Sequence, residues 1–162
     1  MSFTNQSTNE LFKLGNNIHV LRQYREYSLK YLAKLSKYDR TCLSNIEKGV
    51  QNLELNSAMK IAKALDVAFP LLFSSDLGSD PNHTKLQPYF DDDFLLIFIN
   101  NFKKNMLTLR RDHLYVYTQT GIHEAVISRI ISGVEKNPTI FTLIAMAHAC
   151  SSDLATMFIR NM

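Results

Sequence analysis

A chain of 162 residues has room for one ordinary domain or two small ones, and 46% hydrophobic content is enough for a packed core. Charged residues make up 20%, no stretch approaches the roughly eighteen consecutive apolar positions of a membrane span, and residues 1–12, MSFTNQSTNELF, lack the basic and apolar regions of a secretory signal. A disordered tail, a membrane span and secretion are therefore excluded in the reading, which expects a cytoplasmic protein.

Net charge is +3, which permits a nucleic-acid partner without demanding one. Its distribution is more informative. Residues 1–75 carry ten Lys or Arg against six Asp or Glu, whereas residues 86–162 are close to balanced. Were DNA the partner, the first half would carry more of the electrostatic work. The two cysteines, Cys42 and Cys150, sit in apolar helical patterns with no ligand at metal-binding spacing. Buried thiols are expected, with no disulfide framework, no metal and no cofactor.

Glycine and proline number only five and four, and apolar residues recur at intervals of three and four, the pattern of stacked amphipathic helices. From residue 14 to 73 about five short helices follow one another. Ile18, Leu21 and Arg22 mark the first. Ser28 is placed to cap a second, carrying Leu29, Leu32, Ala33 and Leu35. After a polar corner at Ser36 to Asp39, Asp39 can cap a third, RTCLSNIEK, which stops at Gly49. Asn56 or Ser57 opens AMKIAKALDV, and Phe69 to Phe73 closes with an apolar turn.

The run SSDLGSDPNHTKLQP, residues 74–88, favours turns and solvent. It divides the chain into residues 1–75, a linker over 76–90, and residues 91–162. In the second part LYVYTQT, residues 114–120, alternates briefly but scores as helix between helical neighbours. Asp91 to Asp93 read as a helix start, where negative charge meets the positive end of the dipole. The order of the first part also returns. LSNIEKG at 43–49 aligns with ISRIISG at 127–133, 84 residues on, and AMKIAKALDVAFPLLF at 58–73 with TLIAMAHACSSDLATMF at 142–158, where the offset grows by one at the closing turn. An internal duplication is expected.

Two short helices joined by a tight corner, the second exposing small polar and basic side chains, form a device for placing a helix end in the major groove. In that light residues 14–73 resemble the Xre, or Cro and C1 repressor-like, helix-turn-helix family. The matching residues are Leu14, Gly15, Ile18, Leu21, Arg22, Ser28, Leu32, Ala33, Arg40, Leu43, Ser44, Ile46, Glu47, Gly49, Ile61, Ala62, Ala64, Leu65, Val67, Leu72 and Phe73. The resemblance implies an all-α chain of two tandem lambda-repressor-like modules, about five short helices each. It makes Arg40 to Lys48 the recognition helix, with Arg40, Thr41, Ser44 and Asn45 reading bases. Arg suits guanine O6 and N7, Asn suits adenine N6 and N7, and Thr meets a thymine methyl.

The same resemblance puts Lys48, Gln51 and Asn52 against phosphate, and makes Arg22 and Glu47 a partly buried ion pair that holds the reading helix. The chain departs from the family at Leu29, where Gln is usual, and at Lys37 and Tyr38, where Gly and a small aliphatic residue are usual. Strain is expected at Lys37, and Lys30, Lys34 and Lys37 are candidates for the phosphate contacts that the Gln would share.

Residues 91–160 resemble the family weakly at their start and well at their end. Their reading face would be Glu124, Ala125, Ser128 and Arg129, a second candidate DNA site. Met106 and Ile131 stand where the ion pair would be, so the fold is expected to persist while DNA reading does not follow. Either Asp112 or Thr108 aligns with Ser28.

The reading is a sequence-specific double-stranded DNA-binding regulator, a homodimeric repressor at a palindromic operator. In one version both modules read DNA. In the other the first reads and the second dimerises, with FLLIFINNF, residues 94–102, supplying apolar surface; charge balance favours the latter. The alternative is an antitoxin-like partner of a small protein. Enzyme chemistry is not expected: no His pairs with an acid or nucleophile, His113, His123 and His148 lie on helical faces, and no glycine-rich phosphate loop is present.

Overall fold

Short polar residues set ahead of apolar stripes start most of the helices, because a side-chain oxygen there satisfies an N–H that the first turn leaves unpaired. The computed structural model describes residues 3–77 and 92–160. The N-terminal set comprises α1 (Phe3–Tyr24), α2 (Leu29–Ser36), α3 (Arg40–Glu47), α4 (Leu55–Leu65) and a 3-10 turn (Phe69–Phe73). The C-terminal set comprises α5 (Phe94–Leu109), α6 (His113–Thr120), α7 (Glu124–Ile131), α8 (Ile140–Ala149) and α9 (Leu154–Met157). The fold is all-α, as expected; among the described residues the extended backbone amounts to one isolated bridge, Glu54 with Thr139.

The caps recur down the chain. Ser28 accepts from the Tyr31 amide and Asp112, 84 residues later, accepts from the Tyr115 amide. This pairs Asp112, not Thr108, with Ser28. Asp39 caps α3 and His123 caps α7, again 84 apart. His123 is thus a cap and not a residue on a helical face, as the sequence had suggested. Within each first helix Asn17 and Asn101 are buried, and each donates to two carbonyls in and just after the closing turn of its own set. Asn17 bonds Leu72 and Ser74 at 2.9 Å, and Asn101 bonds Met157 at 3.0 Å and Ile159 at 2.9 Å.

Two boundaries differ from expectation. Helix α1 begins at Phe3, well before residue 14, because it packs against α6 and α8 as well as against its own set. Tertiary contact carries a segment whose polar sequence gives little local signal. Helix α4 begins at Leu55, not at Asn56 or Ser57. Its N-cap, Glu54, makes no side-chain cap bond, and the Asn56 amide is instead capped by Asn137 Oδ1 of the other set at 2.9 Å.

That cap belongs to a reciprocal seam. Asn52 Oδ1 accepts from the Phe141 amide at 3.1 Å, while the Leu55 amide donates to Pro138 O at 2.9 Å and the Ile140 amide to Leu53 O at 2.8 Å. Each bond maps onto its mate by a shift of 85 residues. The extra residue therefore enters between Gly133 and Pro138, ahead of α8, and not at the closing turn where the sequence alignment placed it. Asn52→Ala and Asn137→Ala are each expected to cost about 1 kcal/mol, the usual value of a helix cap, read as a lower urea midpoint. No change in either variant would show that the seam contributes nothing.

One apolar core runs through both sets. Phe69, Phe73, Phe94, Phe98 and Phe158 pack ring against ring, with Phe73 and Phe158, also 85 apart, at 5.4 Å between centroids. Phe94, Phe98 and Phe102 are buried in this core. Much of the apolar surface of residues 94–102 is thus spent within the chain, while Leu96 stays 53% exposed. The linker expected over 76–90 lies outside the described residues apart from Asp76 and Leu77. Of the three acids, Asp91 also lies outside them, Asp92 meets Arg160, and Asp93 caps α5 by accepting from the Leu96 amide.

Candidate nucleic-acid interface

Helices α2 and α3 each bury one stripe and leave the other to solvent. Leu32, Ala33 and Ser36 anchor α2, and Leu43 and Ile46 anchor α3. Between them Lys37 holds φ 54° and ψ 40°, the left-handed conformation that favours Gly and costs other residues about 1 kcal/mol or more. Gly121 takes the same part between α6 and α7 at φ 74°. The sequence marked strain at Lys37, and its backbone is in that region. Tyr38 offsets part of it by packing against the core, and burial pushes its phenol pKa up.

The outward side holds five exposed cations: Lys30, Lys34, Lys37, Arg40 and Lys48. Thr41 is exposed beside Arg40, and Ser44 and Asn45 are half-buried one turn on. Asp39 accepts from the Thr41 and Cys42 amides at 2.8 and 2.9 Å, which keeps its carboxyl below the usual range. Cys42 is half-buried, less than the sequence suggested. Cys150 is buried, and burial pushes its thiol up to about 12. Gln51 lies within reach of the Tyr38 hydroxyl. Asn52 is exposed but its carbonyl oxygen is committed to the seam, bonding the Leu53 and Phe141 amides.

Helix α3 is clamped from behind. Arg22 donates from Nε to Glu47 Oε1 at 2.6 Å, from Nη2 to Oε2 at 2.9 Å, and from Nη1 to Tyr27 O at 2.8 Å. His19 Nδ1 lies 2.9 Å from Glu47 Oε2 and completes a cluster in which Arg22 and Glu47 side chains are 13% and 8% exposed. Gly15 makes the close approach of α1 possible, since a Cβ there would lie 2.1 Å from Ile46 O. Gly49, at φ 71°, is crossed as closely by the Phe12 backbone.

Burial alone would raise the Glu47 carboxyl, but hydrogen bonds from Arg22 and then His19 outweigh it and hold its pKa below the usual value. A depressed folded-state pKa contributes stability that is present above the unfolded value, about 4.3, and is lost as pH falls through the folded one. Melting temperatures measured through the acid range should fall more steeply in the wild type than in a variant carrying Arg22→Met with Glu47→Ile. Parallel curves would show that the cluster does not govern acid stability.

The C-terminal set keeps the frame and changes the chemistry. Glu124, Ala125, Ser128 and Arg129 are all exposed on α7, held by buried Ile127 and Ile130. At the places of Lys30, Lys34, Lys37, Arg40 and Lys48 stand Leu114, Thr118, Gly121, Glu124 and Ser132, so one cation, Arg129, remains on these elements. Gly15 is answered by buried Ile99, Arg22 by buried Met106 and Glu47 by half-buried Ile131. Between α5 and α7 there is an open groove of about 530 Å³, floored by Phe102, Met106 and Ile131.

Residue reasoning missed His19, the Asn17 and Asn101 clamps, and Asn137. The clamps carried a signal, two Asn spaced by the repeat offset within the first helices; His19 and Asn137 carried none. Among the described residues no group of three or more His, Cys, Asp or Glu could hold a metal ion, and no helix is long and apolar enough to cross a membrane.

An all-helical scaffold that presents a capped, cation-flanked helix after a tight corner defines a DNA-binding regulator of transcription. The chain belongs, through its N-terminal set, to the helix-turn-helix family of the Cro and C1 type, which it matches over residues 21–72. It is similar to the solved structure of the restriction-modification controller protein C.AhdI from Aeromonas hydrophila. The identity is 35%, over 40% of this chain and 98% of that one, with a TM-score of 0.40. No curated protein matches the chain.

Proposed function

We propose that this protein is a sequence-specific double-stranded DNA-binding repressor whose α3 enters the major groove. The observation that carries this reading is the joint placement of Arg40, Thr41, Ser44 and Asn45 on the open side of a helix that the Arg22–Glu47 cluster fixes from behind. A reading helix needs such fixing, because base-edge hydrogen bonds discriminate only when donors and acceptors arrive in register. Arg40 and Asn45 supply bidentate contacts, with Thr41 and Ser44 beside them. Lys30, Lys37 and Lys48, with Gln51, ring the helix and serve the phosphates, which give affinity without sequence preference. Repression follows when the bound site overlaps a promoter.

The operator carries two half-sites about one helical turn, roughly 34 Å, apart, filled either by two chains as a homodimer or by the two helix sets of one chain. We assign most of the DNA contact to the first of two expected domains, residues 1–75 and 91–162 about a linker over 76–90. Selection from random duplexes by the full chain tests the proposal. Enrichment of one motif, with affinity falling as salt rises, is the expected result. Retention of every duplex alike at about 0.1 M salt, where non-specific contacts are already weakened, would sink it.

A further inference from the structure

The geometry points to a single chain that occupies both half-sites of its operator, α3 in one major groove and α7 in the next, as a covalently joined pair of unequal modules. This rests on the DNA-binding reading above and says how many chains that reading needs and what the second half-site presents.

Four backbone and side-chain bonds cross between the two helix sets in reciprocal pairs. The Leu55 amide reaches Pro138 O while the Ile140 amide reaches Leu53 O. The Asn56 amide reaches Asn137 Oδ1 while the Phe141 amide reaches Asn52 Oδ1. Adding 85 to the numbers of either bond in a pair gives the other with the sets exchanged. A contact in which i meets j and j meets i is isologous, and only a two-fold rotation generates it. Phe73 and Phe158, related by the same shift, pack against each other where that axis would pass. Corresponding cap roles at Ser28 and Asp112, Asp39 and His123, and Lys37 and Gly121 then relate the corner of one set to the corner of the other.

A two-fold axis through one chain has the consequence that a two-fold axis between chains has. A two-fold rotation carries α3 onto α7 at equal height along the axis, and in the proposed complex both outward faces lie on one side of the chain, the arrangement that meets two successive half-sites on one face of B-DNA. The surfaces with which a second chain would repeat this arrangement are already in use, since Asn137, Pro138, Phe94, Phe98 and Phe158 serve the first set. Two tandem sets leave no operator symmetry for a second chain to supply.

The two halves read differently. Where α3 offers Arg40 and Asn45, α7 offers Glu124 and Arg129 at the same places in the repeat. Glutamate accepts from cytosine N4, and arginine donates to guanine O6 and N7. The loss of the other cations around α7 leaves its half-site with few phosphate contacts, so α3 supplies most of the affinity and α7 fixes the orientation of the chain. The operator is therefore two different half-sites about one turn apart, bound one way round.

The test is native mass spectrometry of the full chain on its selected duplex, with hydroxyl-radical footprinting of the same complex. One chain per duplex is expected, protecting two successive major grooves on one face. Glu124→Ala with Arg129→Ala should lower affinity about tenfold and remove protection from the second groove alone. Inserting about half a helical turn between the half-sites should do the same. Two chains per duplex with a symmetric footprint, or one chain protecting a single groove, would overturn the inference and leave DNA reading by α3 intact. Failure to select any motif would remove the functional proposal itself.

Discussion

Arg22→Ala should destabilise the protein by about 3 kcal/mol, because removing one member of a buried ion pair strands the other without its partner. Glu47 is 8% exposed and would keep only the hydrogen bond from His19. The companion variant is Arg22→Met with Glu47→Ile, which copies Met106 and Ile131 from the C-terminal set and should recover most of that loss, since apolar residues of similar volume often replace a buried pair without penalty. Urea midpoints of the wild type, the single variants Arg22→Met and Glu47→Ile, and the double variant form a cycle. A double variant as weak as Arg22→Ala would show that the shape of the α1–α3 contact, and not the stranded charge, sets the cost. The close backbone approach at Gly15 makes that outcome physically distinct, because such a contact leaves little room to repack.

Arg40→Ala with Asn45→Ala should lower affinity for the selected duplex at least a hundredfold while leaving binding to unrelated duplexes within a fewfold of wild type. Each bidentate base contact discriminates by about 1–3 kcal/mol, and two together exceed what the phosphate contacts vary between sequences. Lys30→Ala with Lys37→Ala gives the opposite pattern. Affinity falls evenly across sequences, and the slope of log affinity against log salt decreases by about one for each phosphate that is no longer neutralised. Competition titrations at two salt concentrations separate the two behaviours. Even weakening by the Arg40 and Asn45 pair would remove these side chains from base reading and move the readout elsewhere.

The fold was legible where local chemistry decides structure. Ser28 and Asp39 carry their cap chemistry in the residue type, and Gly49 its positive φ, so the limits of α2 and α3 could be read to within a residue. The all-helical class followed from periodicity alone. What could not be read depended on partners far along the chain. The start of α4 is set by Asn137, 81 residues beyond Asn56, and the start of α1 by packing against α6 and α8. Asn52 looks like any exposed polar residue beyond a recognition helix, and only the seam shows that its oxygen is already engaged. The site divides in the same way. The outward residues of α3 could be named because a helix shows one face at fixed spacing, whereas the open groove lined by Phe102, Met106 and Ile131 is set by how helices far apart in the chain pack, which no periodicity reports.

The difference between the two sets also explains why the repeat was only half visible. The two sets share what holds the fold, namely caps, left-handed corners and buried apolar positions. They differ at the surface and at the ion pair, where an apolar substitute serves equally well. His123 in place of Asp39 and Gly121 in place of Lys37 preserve geometry with different residues, so identity fades while the backbone repeats.

Guanine N7 methylation interference on the selected duplex tests the reading by α3 most directly, because N7 lies in the major groove and is one of the two atoms an arginine would engage. Methylation within the α3 half-site should block the wild-type protein, and the block should disappear at one guanine when Arg40 is replaced by Ala. Interference that is confined to adenine N3 in the minor groove, or that stays the same in the Arg40→Ala variant, would contradict major-groove reading by this helix.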